Sequence, residues 1–224
     1  MTSLVLEGTP GDGFARAQGA AIDLVEARRT LDVAAIPPGQ LARLRASAEG
    51  RAAGYTLTSW DGPTPEEWLE PVARLNEAMA DAPRGDEEEP QVWDAERVRL
   101  VDQLSAEQGL HRYSVAAVES GTGDLAALTQ LAVEAGTLDW GHQELTAVTR
   151  AHRGHRLGLL TKLAMLDLVA AREPQVAFIE TWNGEANDHM VAINEALGFR
   201  PTGRVIAWLL PAEAAVLPAA VGQS

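Results

Sequence analysis

Between Leu157 and Arg172 apolar residues recur at Leu160, Leu163, Ala164 and Leu168, the spacing of one helix face, and Pro174 ends the run. Strand-like runs precede this helix at Arg112–Glu119, Leu125–Glu134 and Trp140–Thr149, the first two joined by the hairpin signal Gly121-Thr122-Gly123-Asp124. After it, Val176–Thr181 reads as a short buried strand, Asn187–Ala196 as a helix closed by Gly198, and Arg204–Leu210 as a last strand. Upstream, Tyr55–Trp60 has the β-branched and aromatic content of a strand, and Asp61-Gly62-Pro63 turns the chain. Thr64-Pro65-Glu66-Glu67 then opens a helix striped by Trp68, Leu69, Val72, Leu75 and Met79. Beyond the loop Pro83–Pro90, whose Glu87-Glu88-Glu89 reads as solvated, a second helix spans Trp93–Gln108 with Val98, Val101 and Leu104 on one side. This element order predicts an α/β fold with one mixed central sheet flanked by helices.

The first 50 residues are less periodic. Asp12 to Arg29 is expected to be helical, the run Leu31–Ile36 stops at Pro37-Pro38, and a helix covers Gln40–Glu49 with Leu41 and Leu44 on one face. Gly50 to Gly54 then forms a glycine-bounded joint. The expected organisation is an N-terminal extension over residues 1–50, a main domain over 51–214 and a short Ala/Pro-rich tail over 215–224.

Charge and composition narrow the chemistry. A formal net charge of −14 opposes general binding to phosphate backbones, so nucleic acid is not an expected partner, and a cationic small molecule suits the acidity better. The chain has no cysteine, which removes disulfides, thiolate metal sites and a cysteine nucleophile. No spacing of His, Asp or Glu suggests a metal. No leader is visible and no apolar run reaches the ~20 residues of a spanning helix, so a cytoplasmic protein without a membrane partner is expected.

Against this acidic background, five of the nine residues from Arg150 to Gly158 are Arg or His. They lie between a strand end and a helix start, where main-chain N–H groups and the helix dipole favour an anion. Gly154 and Gly158 let the backbone come close to a phosphate, and Arg153 and Arg156 can add charge-assisted hydrogen bonds. The segment lacks the Lys-Ser/Thr ending of a P-loop and the three glycines of a dinucleotide fingerprint.

The segment resembles the signature of the GNAT superfamily of N-acetyltransferases: Arg or Gln, two residues, Gly, one residue, then Gly or Ala at a helix start. Arg153 and Gly158 match its ends, while Arg156 stands where the middle glycine is usual. Thr181-Trp182-Asn183, Asn187 and Leu197-Gly198-Phe199 are similar to a second landmark of the family, and the likeness extends over about residues 55–210. It is strongest to actinobacterial members, including tandem two-domain proteins related to mycothiol synthase. Gly13-Phe14 and the residues after it look like the tail of a preceding GNAT half whose catalytic part is missing.

The resemblance implies transfer of an acetyl group from acetyl-CoA, a cosubstrate, to a primary amine of a small cationic molecule. It also implies a splayed strand whose main chain at Thr146, Ala147 and Val148 meets the pantetheine arm. The pyrophosphate would lie on the amides of Arg153, Gly154, His155, Arg156, Leu157 and Gly158, with Asn183 and Asn187 also at the cofactor. A plain helix cap is an equal reading of Asn187. Asn194 occupies the place of the family's tyrosine acid and could only hydrogen-bond the sulfur or orient a water.

His142 and Glu144, two apart on one strand, are expected to share a face. His142 falls where some protein-lysine acetyltransferases carry a glutamate base; a solvent-facing histidine at a strand end is the competing reading. Glu144 either assists or binds a cationic substrate. His152 and His155 belong to the phosphate turn and His189 to a helix surface, and Trp140, Trp182 and Trp208 read as core or cleft walls. Because the tail after Leu210 is short, an N-terminal strand is expected to complete the sheet, within the chain or across a homodimer. The alternative to an active enzyme is a degenerate GNAT domain that binds coenzyme A or a partner without turnover.

Overall fold

The computed structural model describes residues 2–79, 92–136, 139–184 and 187–209. The expected loop Pro83–Pro90, its acidic run and the tail 215–224 lie outside them, as does Leu210. Among the described residues eight strands form one sheet. In chain order they are β1 (Thr2–Leu6), β2 (Ala21–Asp32), β3 (Tyr55–Asp61), β4 (Leu110–Glu119), β5 (Leu125–Glu134), β6 (Trp140–Val148), β7 (Phe178–Gly184) and β8 (Arg200–Leu209). The helices are α1 (Pro10–Ala17), α2 (Gln40–Glu49), α3 (Glu66–Met79), α4 (Ala95–Glu107), α5 (Leu157–Arg172) and α6 (Asp188–Leu197). Across the sheet the order is β1-β8-β2-β7-β6-β5-β4-β3, antiparallel throughout except for β6 beside β7.

From Tyr55 onward the elements follow the sequence pattern. The N-terminal part does not: the helix expected over 12–29 is confined to Pro10–Ala17, and Ala21–Asp32 is a twelve-residue strand between β7 and β8. The alanines in this stretch mimic a helical composition, whereas the side chains alternate. Val25, Ala27 and Leu31 turn to one face and Glu26, Arg28, Thr30 and Asp32 to the other, the period of two that pairing on both edges requires. Residues 2–32 thus place two strands in the sheet within a single chain.

Two apolar layers sandwich the central strands. On one face α5 and α2 close over Val115, Ala117, Leu131, Val133 and Ile179, with Leu157, Leu163 and Met165 fully buried in α5. On the other, α3 and α4 bring Leu69, Val72, Leu75 and Val98 against Ala116, Leu128 and Ala147. Because β5 is covered on both faces, nine of its ten residues are buried, which is why its sequence is apolar on both faces, interrupted only by the buried Thr129 and Gln130.

Candidate active site

β6 and β7 begin as a parallel pair, with Trp140 beside Phe178, Gly141 beside Ile179, His142 beside Glu180 and Gln143 beside Thr181. There the pairing stops. β6 runs on to Val148, still bound to β5 on its far edge, and β7 runs on to Gly184, still bound to β2. Each strand is committed to its other neighbour, so the two diverge and leave a wedge. Among the described residues, the β7-facing main chain of Glu144 to Val148 has no strand partner, which leaves this edge to an extended ligand, apart from the Val148 carbonyl, which accepts from Arg153 Nε at 3.5 Å. A bulge in β6 between the partners of Gln130 and Leu131 sets the side chains along the wedge. It turns Thr146 to Thr129, whose hydroxyl lies 2.7 Å away, and places Ala147 in the layer under α3 and α4.

Beyond Val148 the chain makes a short 3₁₀ turn and enters α5. Gly154 (φ 87°) and Arg156 (φ 56°) are both left-handed, and Arg156 is the one non-glycine residue with positive φ among the described residues. No acceptor among the described residues meets the N–H groups of residues 154–159, and no side chain caps the helix. The loop is held from behind: Tyr55 Oη lies 2.9 Å from His152 Nδ1, His155 Nδ1 lies 3.2 Å from the carbonyl of Arg51, and the Arg156 guanidinium donates to Ser47 Oγ on α2. Arg156 has therefore swung aside, leaving exposed Arg153 as the cation of the signature, with no acidic partner among the described residues. Gly158 is buried against Val148, Thr146 and Ile193, at distances where a Cβ would make ordinary contact.

One cross-sheet row carries the charged side chains. Thr30, Glu180, His142, Ala132 and Arg112 are paired in succession and share a face. Arg112 is buried and its guanidinium is divided between Asp102 of α4 at 2.9 Å, Glu144 at 2.7 Å and Ser105 at 2.6 Å. Glu144 and His142 do share a side of the sheet, but they turn apart. Glu144 reaches toward β4, while His142 turns to β7, its Nδ1 2.9 Å from Glu180 Oε1. Below α3 and α4 a cavity of about 190 Å³ is lined by Asn76, Trp93, Asp102, Arg112, Glu144 and Leu145.

The asparagines sort differently. Asn187 caps α6, its Oδ1 accepting from the amide of Met190 at 3.2 Å, as the helix-cap reading has it. Asn194 is fully buried and donates through Nδ2 to Asn183 Oδ1 at 2.7 Å, tying α6 to β7 where β7 leaves β6. The chain's two tyrosines lie elsewhere: Tyr55 supports the loop, and Tyr113, whose hydroxyl pKa is raised by burial, donates to Glu173. Among the described residues no cluster of His, Asp and Glu could hold a metal, and no helix is long and apolar enough to cross a membrane.

No protein-family model matches the sequence, and no curated protein matches it. Solved structures do. A tandem GNAT protein from the clavulanic acid biosynthesis pathway, solved without AcCoA, superposes with a TM-score of 0.72 at 31% identity, over 92% of this chain and 62% of that one. The chain has the GNAT fold. A GCN5-related N-acetyltransferase from Sphaerobacter thermophilus (TM-score 0.65, 14% identity, 92% of this chain and 58% of that one) and one from Kribbella flavida (0.55, 15%, 94% and 68%) share this fold. The chain spans 62% and 58% of the length of the first two of these GNAT proteins.

Two residues of the site escape the sequence pattern. Glu180 reads as one polar residue in a buried strand, and Arg28 sits in a stretch of helix-like composition. The polar alternation Glu26, Arg28, Thr30 is the available signal.

Proposed function

We propose that the chain is an acetyl-CoA-dependent N-acetyltransferase that acts on a primary amine of a small cationic molecule. The observation that carries this reading is the wedge between β6 and β7 opening beside the uncapped start of α5. The free amides of residues 154–158 suit a pyrophosphate, with Arg153 adding charge, and the unpaired main chain at Thr146, Ala147 and Val148 suits the amide-bearing pantetheine arm. Asn183, held by Asn194, lies on the β7 wall of the same wedge. Bound there, acetyl-CoA supplies an activated thioester, and the chain's own residues have to deprotonate and orient the amine. His142, in the last two residue pairs before the strands part, serves as the base that takes the ammonium's proton. Glu144, on the wall of the cavity under α3 and α4, orients the cationic acceptor.

The test is thiol release from acetyl-CoA across a panel of polyamines, aminosugars and amino-acid amides. Release with at least one amine supports the enzyme. Buried Asn194, in place of a tyrosine acid, favours the second reading, a domain that binds without turnover; coenzyme A binding with no release from any amine would support it.

Two substitutions separate the roles of the arginines. Arg153→Ala is expected to raise the Kd for coenzyme A about tenfold, the loss of one charge-assisted contact. Arg156→Gly should leave that Kd within about threefold, because its guanidinium is engaged with Ser47 and glycine takes φ 56° without strain. Isothermal titration of both variants gives the answer, and a larger effect at Arg156 would mean that its side chain leaves Ser47 to grip the ligand.

A further inference from the structure

His142 does not act alone in the row it occupies. Its Nδ1 lies 2.9 Å from Glu180 Oε1, and the other carboxylate oxygen, Oε2, accepts from Arg28 Nε at 2.6 Å and from Arg28 Nη2. Glu180 is buried, its side chain 11% exposed, whereas His142 keeps 36% of its side chain open to solvent. The Arg28 guanidinium carbon lies 5.4 Å from the Trp140 ring centroid and 5.8 Å from that of Trp182, within cation–π range of both. Three strands therefore meet in one chain of contacts: β2 contributes Arg28, β7 Glu180 and β6 His142.

We infer that Glu180 and Arg28 are positioning residues for His142, and that strand β2, from the N-terminal part of the chain, completes the apparatus that fixes the base. The inference rests on the proposed role of His142. A carboxylate at Nδ1 can only accept, so Nδ1 must carry the imidazole proton and Nε2 is left with the lone pair. That tautomer presents a base to the open side. Arg28 sets which carboxylate oxygen faces which partner: with donors on Oε2, Oε1 is the one turned to the imidazole. It also places its guanidinium charge directly beside the carboxylate that accepts the imidazole N–H. When the base takes a proton from the ammonium, the imidazolium forms beside the Glu180 carboxylate, and no further proton moves.

The same geometry says what an amide would do. In Glu180→Gln, Arg28 offers only donors and so draws the amide oxygen, which turns the amide NH₂ toward Nδ1. Nδ1 must then accept, the proton moves to Nε2, and the lone pair faces the protein instead of the substrate. The variant is close to isosteric.

The experiment measures two things on the full chain. Two-bond ¹⁵N–¹H correlation spectra report the tautomer of His142 among the five histidines, its signal assigned by loss in His142→Gln. Wild-type protein is expected to hold the Nδ1–H form and Glu180→Gln the Nε2–H form. Steady-state kinetics with the best amine of the panel is expected to show kcat lowered about 10²-fold in Glu180→Gln, at the low end of what a general base contributes, and about 10-fold in Arg28→Gln, which acts one contact further away, with KM for acetyl-CoA within about twofold. An unchanged tautomer in Glu180→Gln, or wild-type kcat in both variants, would overturn the inference. Should no amine be acetylated by the wild-type chain, the proposed activity fails, while the tautomer comparison still decides whether Glu180 fixes His142.

Discussion

Replacing His142 by alanine is expected to lower kcat by about 10²- to 10⁴-fold, the span that general-base catalysis contributes, while the Kd for coenzyme A changes by less than about threefold. The separation follows from where the parts lie. The amides and Arg153 that suit the pyrophosphate belong to the loop between β6 and α5, whereas His142 sits where β6 and β7 are still paired. Glu144→Ala should act differently: it removes one partner of Arg112 and one wall of the cavity proposed for the acceptor, so KM for the amine rises along with a fall in kcat. Steady-state kinetics with both substrates varied, set beside titration of coenzyme A, distinguishes these patterns. Wild-type kinetics in both variants would remove His142 and Glu144 from the chemistry.

Lys162→Met is expected to stabilise the fold by about 3–4 kcal/mol at pH 7, with the gain shrinking as the pH rises. Lys162, the only lysine in the chain, is buried in α5, with Nζ 5.3 Å from the Phe199 ring centroid. Burial lowers its pKa from 10.5 to about 7. Between those values the unfolded chain holds a proton that the folded chain has shed, so protons favour unfolding and stability must rise with pH across the window. The slope for one such group is about 1.4 kcal/mol per pH unit. Methionine keeps the length and the contact with Phe199 without a proton to lose. Chemical unfolding at pH 7 and pH 9.5 should show the wild-type deficit narrowing by about 3 kcal/mol. A variant that is less stable than wild type at pH 7, or a deficit that does not narrow, contradicts the burial of an uncharged amine at this position.

The helices and strands from Tyr55 onward can be read from periodicity because each buries one or two whole faces, and burial imposes the period. α5 and β5 are the plainest cases, one by its helical stripe and the other by apolar residues on both faces, with Thr129 and Gln130 the exceptions. β2 is hidden because its Ala, Arg and Glu residues favour helix over strand; what makes it a strand is the slot between β7 and β8, a tertiary fact. The basic turn before α5 is legible because its Arg and His residues stand out in an acidic chain and its glycines sit at a strand-to-helix junction. The orienting of His142 is not, since Arg28 and Glu180 are 152 residues apart and meet only through strand register. Likewise the bulge in β6, which separates the directions of His142 and Glu144, depends on pairing with β5 and not on the composition of β6 itself.

The measurement closest to the central claim is a crystal structure of the chain with coenzyme A. The pyrophosphate oxygens are expected within hydrogen-bond distance of amides between residues 154 and 158, and the pantetheine arm along the β7-facing edge of Thr146 to Val148. Coenzyme A bound elsewhere, or a wedge between β6 and β7 that stays empty at saturating ligand, would contradict it.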